Sequence, residues 1–153
     1  MSLEGKNLRY DMVIIGSGQA GTPLARAFAR AGRKTALVER THVGGTCINE
    51  GCTPTKTMVA SARIAYLARR AGQYGVRTGS VTPDMAAVRA RKRRIVEMFR
   101  SAGQRGLEET PGLDLLFGQA RFTDARRVAV TSPDGASRVL TAGTIVLNPG
   151  ARR

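Results

Sequence analysis

The chain has 153 residues, 42% of them hydrophobic, with 25 lysines and arginines against 11 aspartates and glutamates, a net charge of +14. That length reads as one domain with a buried core, and no apolar run is long enough to serve as a bilayer-spanning helix. The N-terminal MSLEGKNLRYD mixes both charge signs and reads as neither signal peptide nor anchor, so the expectation is a cytoplasmic, reducing compartment. Structural disulfides are uncommon there, so a close cysteine pair leans towards metal or redox chemistry.

In chain order, YDMVIIGSG predicts a buried strand closed by glycine, with Val13, Ile14 and Ile15 at its centre. QAGTPLARAFARAG predicts a helix with Leu24, Ala25 and Phe28 at helical spacing and Gly32 as its stop. KTALVER is a second short strand ending at Glu39, which completes a βαβ unit. A cysteine-containing loop follows. A helix leaves it and runs to about Gly72, with Met58, Leu67 and Ala71 among its apolar positions. Residues 80–109 predict a second long helix with Thr82 as N-cap, Pro83 at its first position and Asp84 complementing its positive end. Pro111-Gly112 breaks the chain. After it, LDLLFGQARF, RRVAVTS and SRVLTA read as three antiparallel strands and TIVLN as a last buried strand, Ile145 to Leu147, with SPDG a tight turn.

Two stretches carry chemistry. GSGQAG supplies Gly16, Gly18 and Gly21, a G-x-G-x-x-G that follows a strand and opens a helix. Gly16 permits the sharp turn, Gly18 lets backbone approach a pyrophosphate, and Gly21 lets helix and strand pack closely. The helix start offers free N–H groups to phosphate. Glu39 lies eighteen residues past Gly21, where a carboxylate accepts ribose hydroxyls and repels a 2′-phosphate. The motif does not by itself separate NAD from FAD.

The second stretch, GGTCINEGCTPTK, ends at Lys56 and holds both cysteines, Cys47 and Cys52. Positions five apart on a helix are offset by roughly 140°, so bridging them requires a loop or a distorted turn, for which Gly44, Gly45 and Gly51 supply freedom. A helix start and Lys56 are expected to lower the thiol pKa values and favour an exchangeable dithiol. A zinc site needs four ligands, and the chain offers Cys47, Cys52, its single histidine His42 and Glu50, a weak set. Two ordinary free thiols remain a third reading.

These motifs together resemble the FAD-dependent pyridine nucleotide-disulfide oxidoreductases, the group of glutathione reductase, dihydrolipoamide dehydrogenase and mercuric reductase. GSGQAG, the VER acid, GGTCINEGCTPTK, GQA at 118–120 and IVLNPGAR occur in the family's order, and GCTPTKT and ARKRRIVEMFRS resemble the mercuric-reductase-like branch most. The resemblance implies an α/β Rossmann-like FAD-binding domain over residues 1–153, with a parallel sheet, long helices after the cysteine loop and a small antiparallel meander. It implies a relay in which NAD(P)H reduces the flavin, the flavin reduces a disulfide, and the dithiol reduces a small disulfide or a metal-ion substrate. By the same resemblance Cys47 is the exchange thiol, Cys52 the flavin-facing thiol with a charge-transfer contact, and Lys56 stabilises negative charge on the reduced ring. Thr46 and Cys47 line the flavin, and Gly45 belongs to the same cofactor-binding stretch. Gly16, Ser17, Gly18, Gln19 and Gly21 hold the pyrophosphate, and Gly150, at the exit of the last strand, is a further cofactor-binding residue. Glu39 binds ribose, Arg40 lies beside the adenine, and the backbone of Gln119 and Ala120 meets it. FAD explains the glycine loop and the dithiol together, whereas NAD at Gly16 would leave the dithiol unexplained.

The family pattern also implies domains this chain does not contain: an NAD(P)-binding domain, a dimerisation domain, and a C-terminal catalytic His for which His42 is no substitute. The chain therefore reads as a truncated, N-terminal part of such an enzyme, without the homodimer interface of full-length relatives. Pro149 stands where a small residue or Thr is usual, and Arg153 where a proline is usual. A non-catalytic flavin-binding module is the alternative function. A basic nucleic-acid-binding domain is disfavoured, because Arg89, Arg91, Lys92, Arg93 and Arg94 point round a helix rather than along one face, and aromatics are only 5%.

Overall fold

The computed structural model describes residues 7–151. The strands are β1 Asn7–Ile15, β2 Thr35–Glu39, β3 Leu113–Phe117, β4 Gln119–Asp124, β5 Arg127–Thr131 and β6 Ser137–Leu147. The helices are α1 Gly21–Arg30, α2 Gly45–Asn49, α3 Cys52–Arg70 and α4 Met85–Glu108, with a 3₁₀ turn at Ala71–Tyr74. The chain divides into two compact units: the segment up to Gly45 with that from Arg100 onward, and Thr46–Phe99.

The first unit is built on one six-stranded sheet in the order β3-β2-β1-β6-β5-β4. β1 pairs in parallel with β2 and β6, and β2 with β3, whereas β4, β5 and β6 run antiparallel. This is the α/β sheet with a small antiparallel meander that the sequence leads one to expect. Alternation along the strands sends side chains to two cores, except that Tyr10 and Met12, two apart in β1, fall in different ones: the Asp11 and Met12 amides both donate to the Lys34 carbonyl, which breaks the alternation there. Met12, Ile14, Leu37 and Leu113 pack with Ala25 and Ala29 of α1 and Leu107 of α4. Tyr10, Val13, Ala36 and Val38 pack with Val128, Val130, Leu140 and Ala142 of the meander. Full burial of Ile14, Leu37 and Leu140 contributes about 1.5–3 kcal/mol for each side chain. α1 stops where expected, because Gly32 takes a φ of +76° and the Arg33 amide returns to the Phe28 carbonyl at 3.1 Å.

Four details differ from the sequence reading. LDLLFGQARF is not one meander strand: it divides at Gly118 into β3, parallel to β2, and β4, antiparallel to β5. A side chain at Gly118 would lie 2.6 Å from the Thr131 carbonyl oxygen, so only glycine lets the chain cross there. SRVLTA and TIVL form a single strand, since both neighbours of Gly143 keep their pairing with β1. Its end is not buried. β5 pairs only as far as Thr141, and after the Ala142 amide, which donates to the Arg126 carbonyl at 3.1 Å, β6 has β1 on one side alone, with Leu147 62% exposed. Finally, α4 is capped by Asp84 rather than Thr82. The Asp84 Oδ1 accepts the Ala86 and Ala87 amides at 2.8 and 3.0 Å, and Pro83 disfavours helical backbone at Thr82.

The second unit holds α2, α3, the 3₁₀ turn and most of α4. The Arg91 guanidinium donates to the Thr57 carbonyl at 3.1 Å, tying α4 to α3. Met58, Val59, Ala62 and Ala65 of α3 line an open apolar hollow of about 370 Å³ with Met85 and Val88 of α4. Met58 and Leu67, two of the apolar positions of α3, are exposed. No helix among the described residues is long and apolar enough to cross a membrane.

In urea unfolding, Leu140→Ala should cost about 2–5 kcal/mol through the cavity it leaves, and Asp84→Ala about 0.5–2 kcal/mol through the lost cap. A Leu140→Ala loss no larger than that of Asp84→Ala would contradict the packing of the meander core.

Candidate functional site

In the first unit the glycine loop lies at the carboxyl ends of β1, β2 and β6. Gly16 takes a φ of +102°, and a side chain on it would lie 2.0 Å from the Asn148 carbonyl oxygen. A side chain on Gly21 would lie 2.0 Å from the Gly16 carbonyl oxygen. Gly18 faces the Asn148 amide nitrogen, which would be 3.3 Å from a Cβ there. The Asn148 Nδ2 donates to the Gly16 carbonyl at 3.2 Å, and the Asn148 amide to Ile15 at 2.8 Å. Asn148 thus forms the floor of the loop. Sequence reasoning noticed it only as the residue before Pro149, because its partners are 132 positions away. α1 begins at Gly21 with no side-chain cap and no acid in its first turn; the Thr22 amide is taken by the Gly18 carbonyl at 3.1 Å and Pro23 has no N–H, so what the helix start offers an anion is its positive end and the Gly21 amide.

Glu39 closes β2 beside this loop. Its Oε2 accepts the Ser17 hydroxyl at 2.5 Å and the Ser17 amide at 3.0 Å, and its Oε1 accepts the Thr41 amide at 3.0 Å. Burial alone would raise the Glu39 carboxyl, but the Ser17 hydroxyl and the Thr41, Ser17 and Arg40 amides outweigh it and hold it below the ordinary glutamate value. Arg40 itself is exposed. The Gly118 amide donates to the Glu39 carbonyl at 2.9 Å, which brings Gln119, exposed, and Ala120, half-buried, beside the end of β2. The Gly44 amide donates to the Ser17 carbonyl and to the Ser17 Oγ, each at 3.2 Å, and the Gln19 side chain reaches the Gly44 carbonyl at 3.4 Å. Gly45 packs so closely that a Cβ on it would be 2.7 Å from the Gly18 Cα. Gly150 is exposed, with a φ of +73° and open space where a side chain would stand. Arg153 lies outside the described residues.

The second unit carries Thr46, Cys47, Cys52 and Lys56. Cys47 sits in α2 and Cys52 opens α3. Between them the Thr46 carbonyl accepts both the Glu50 amide at 2.9 Å and the Gly51 amide at 2.6 Å. That wide turn supplies the break from regular helix that the spacing demands. Gly51 stands at φ −111°, ψ −107°, where a side chain would meet the Thr46 carbonyl oxygen at 3.0 Å. Both cysteines are free thiols, and Cys47 is hydrogen-bonded to the Cys52 thiol. That bond is the main reason the Cys47 pKa is raised; the Cys52 amide and Lys56 act in the opposite sense and do not win. The expected lowering therefore does not hold for Cys47 in the reduced pair, because sharing a proton with a second sulfur stabilises the protonated form. Lys56 is exposed. Among the described residues, no three or more His, Cys, Asp or Glu side chains gather into a metal-binding group.

Residues 10–153 match the family described as pyridine nucleotide-disulphide oxidoreductase, and the chain belongs to that family. It is 37% identical to the dihydrolipoyl dehydrogenase of Chlorobaculum tepidum over 143 residues, 94% of this chain and 30% of that protein. It is 35% identical to the mercuric reductase of Shigella flexneri over 149 residues, 96% of this chain and 26% of that protein. Among solved structures it resembles the HOCl-induced flavoprotein disulfide reductase RclA of Escherichia coli, in its Cu(II) complex, with a TM-score of 0.80 and 33% identity over 94% of this chain and 29% of that one. The chain thus spans about a third or less of the length of these relatives.

The family's cofactor is FAD, with NAD(P)H as reductant. The residues present fit its nucleotide end: glycines where a Cβ would strike backbone, an uncapped helix start and an ionised carboxylate at the end of β2.

Two outcomes follow. A carboxyl held below its unfolded value stabilises the fold above the unfolded pKa, about 4.3 for Glu, and that stability is lost as pH falls through the folded pKa. Urea midpoints of the wild type should therefore fall relative to those of Glu39→Gln as pH drops below that range; parallel pH profiles would contradict the hydrogen bonding described. In Cys52→Ala, Cys47 loses its sulfur partner, so the pH midpoint of its alkylation by iodoacetamide should move down from the wild-type value.

Proposed function

We propose that this chain is the flavin-binding and dithiol-bearing part of an FAD-dependent disulfide oxidoreductase, acting on a small disulfide or a metal ion. The observation that carries the reading is the double hydrogen bond from Gly44 to Ser17. It fastens the backbone leading into the cysteine stretch onto the nucleotide loop, and Cys47 lies only three residues further along the chain.

Bound FAD, once reduced, would supply two electrons, which with two protons would convert a Cys47–Cys52 disulfide into two thiols and return the flavin to its oxidised form. The protein's residues do the rest. The backbone from Gly18 to Gly21 and the start of α1 hold diphosphate, without the Ser17 amide and hydroxyl, which go to Glu39, and Glu39 accepts ribose hydroxyls. The β4 backbone at Gln119 and Ala120 borders the adenine. The turn at Thr46–Gly51 keeps the two sulfurs together, so that the Cys47 thiolate can attack a substrate disulfide and expel one substrate thiol, after which Cys52 can attack the Cys47 sulfur, expel the second and re-form the Cys47–Cys52 disulfide; a metal-ion substrate would be ligated by the two thiolates. Lys56, one turn into α3, favours the thiolate that attacks. The electron donor NAD(P)H and a dimer partner belong to the full-length relatives, and a cytoplasmic setting suits an exchangeable dithiol.

Purified protein titrated with FAD should retain about one flavin per chain through gel filtration. Limiting dithionite added anaerobically to the oxidised, FAD-loaded protein should release two reagent-accessible thiols in the wild type and none beyond the background in Cys47→Ser. Colourless protein that instead binds DNA in a salt-sensitive manner would overturn the reading in favour of a polyanion-binding domain.

A further inference from the structure

Ser17 is the middle residue of the first glycine pair, and its side chain is 0% exposed. A serine offers two donors, its amide and its hydroxyl, and both go to one atom, the Oε2 of Glu39, at 3.0 and 2.5 Å. Neither is left for a phosphate. The hydroxyl oxygen in turn accepts the Gly44 amide at 3.2 Å, and the Ser17 carbonyl accepts the Thr22 hydroxyl at 2.8 Å and the Gly44 amide at 3.2 Å. Every polar atom of Ser17 therefore has a partner inside the first unit. The other carboxylate oxygen, Oε1, takes the Thr41 amide in an exposed bond. That side of the carboxylate is where a ribose hydroxyl can reach.

We infer that Ser17 is a positioning residue: its buried hydroxyl continues a hydrogen-bond chain from the Gly44 amide to Glu39 Oε2, anchoring one carboxylate oxygen so that the other faces the ribose of a dinucleotide. The last step rests on the flavin reading above; the chain Gly44 to Ser17 to Glu39 does not. The direction of each bond is fixed by chemistry. An amide can only donate, an ionised carboxylate can only accept, and the hydroxyl between them must do both. The arrangement makes the ionisation of Glu39 felt at Gly44, 27 positions from Ser17 and at the start of the cysteine stretch.

Few other charges bear on this chain of bonds. The rest of β2 carries no ionisable side chain, nor does the glycine loop Gly16–Ala20, Gly44–Gly45 or Gly118–Ala120. Arg40 and His42, in the exposed stretch after β2, are the ionisable neighbours in sequence. The Glu39 carboxyl is held below its ordinary value, with the Ser17 hydroxyl the first of the groups that lower it against burial.

NMR of the whole chain tests this. In the wild type, the Ser17 and Gly44 amide shifts should move with the Glu39 carboxyl carbon, at one midpoint. In Ser17→Ala the Glu39 midpoint should rise and the Gly44 response should vanish, whereas Ser17→Thr, which keeps the hydroxyl, should hold the midpoint low. The dissociation constant for FAD should rise about tenfold in Ser17→Ala, the scale of one hydrogen bond to a charged group, and Ser17→Ala should add little to Glu39→Gln. A Gly44 amide indifferent to Glu39 in the wild type overturns the inference even if Ser17→Ala does not fold. So does a Glu39 midpoint that Ser17→Ala leaves in place while only thermal stability falls. If the titrations behave as stated and FAD fails to bind, the flavin reading falls and the positioning role stands.

Discussion

The space between Gly16 and Asn148 is the constraint from which the first unit follows. Two strands, β1 and β6, end side by side in parallel register, and the chain leaving one must turn across the end of the other. A Cβ at Gly16 or Gly21 would come within 2.0 Å of a carbonyl oxygen. Backbone alone fits there. The same absence of side chains that allows the turn leaves amide groups at the surface of the loop, beside an uncapped helix start. Packing and anion recognition are one requirement at this point, so the motif is at once structural and chemical.

Electrostatics around the loop is settled by hydrogen bonds rather than by ion pairs. The net charge of +14 is large, yet no charged side chain is among the groups that set the ionisation of Glu39. Three backbone amides and one hydroxyl do so. Oriented dipoles held by the fold cost nothing to reorganise when a ligand arrives, and they do not weaken with salt as a surface ion pair does. A carboxylate fixed in this way suits the recognition of neutral ribose hydroxyls, which calls for orientation more than for charge.

The dithiol depends on a different local device. A regular helix would splay Cys47 and Cys52 apart. The Thr46 carbonyl takes two amides at once, Glu50 and Gly51, and the turn opens just enough to set one sulfur against the other. The cost is visible at Cys47, whose proton is retained more strongly than in an isolated thiol because Cys52 shares it.

Much of this was legible in the residues alone. The βαβ unit, the glycine loop, the acid at the end of β2 and the cysteine pair announce themselves through spacing and residue type, since each needs only neighbours within about forty positions. What the residues could not reveal was set by distant partners. Whether LDLLFGQARF is one strand or two depends on Thr131 lying over Gly118. Whether Asn148 matters depends on Gly16 lying beneath its amide. Whether Ser17 faces a phosphate or Glu39 depends on how β1 and β2 align at their ends. Local chemistry writes turns, caps and motifs into a sequence. Register and close approach between distant segments exist only once the chain has folded, because they belong to pairs of residues that no single stretch contains.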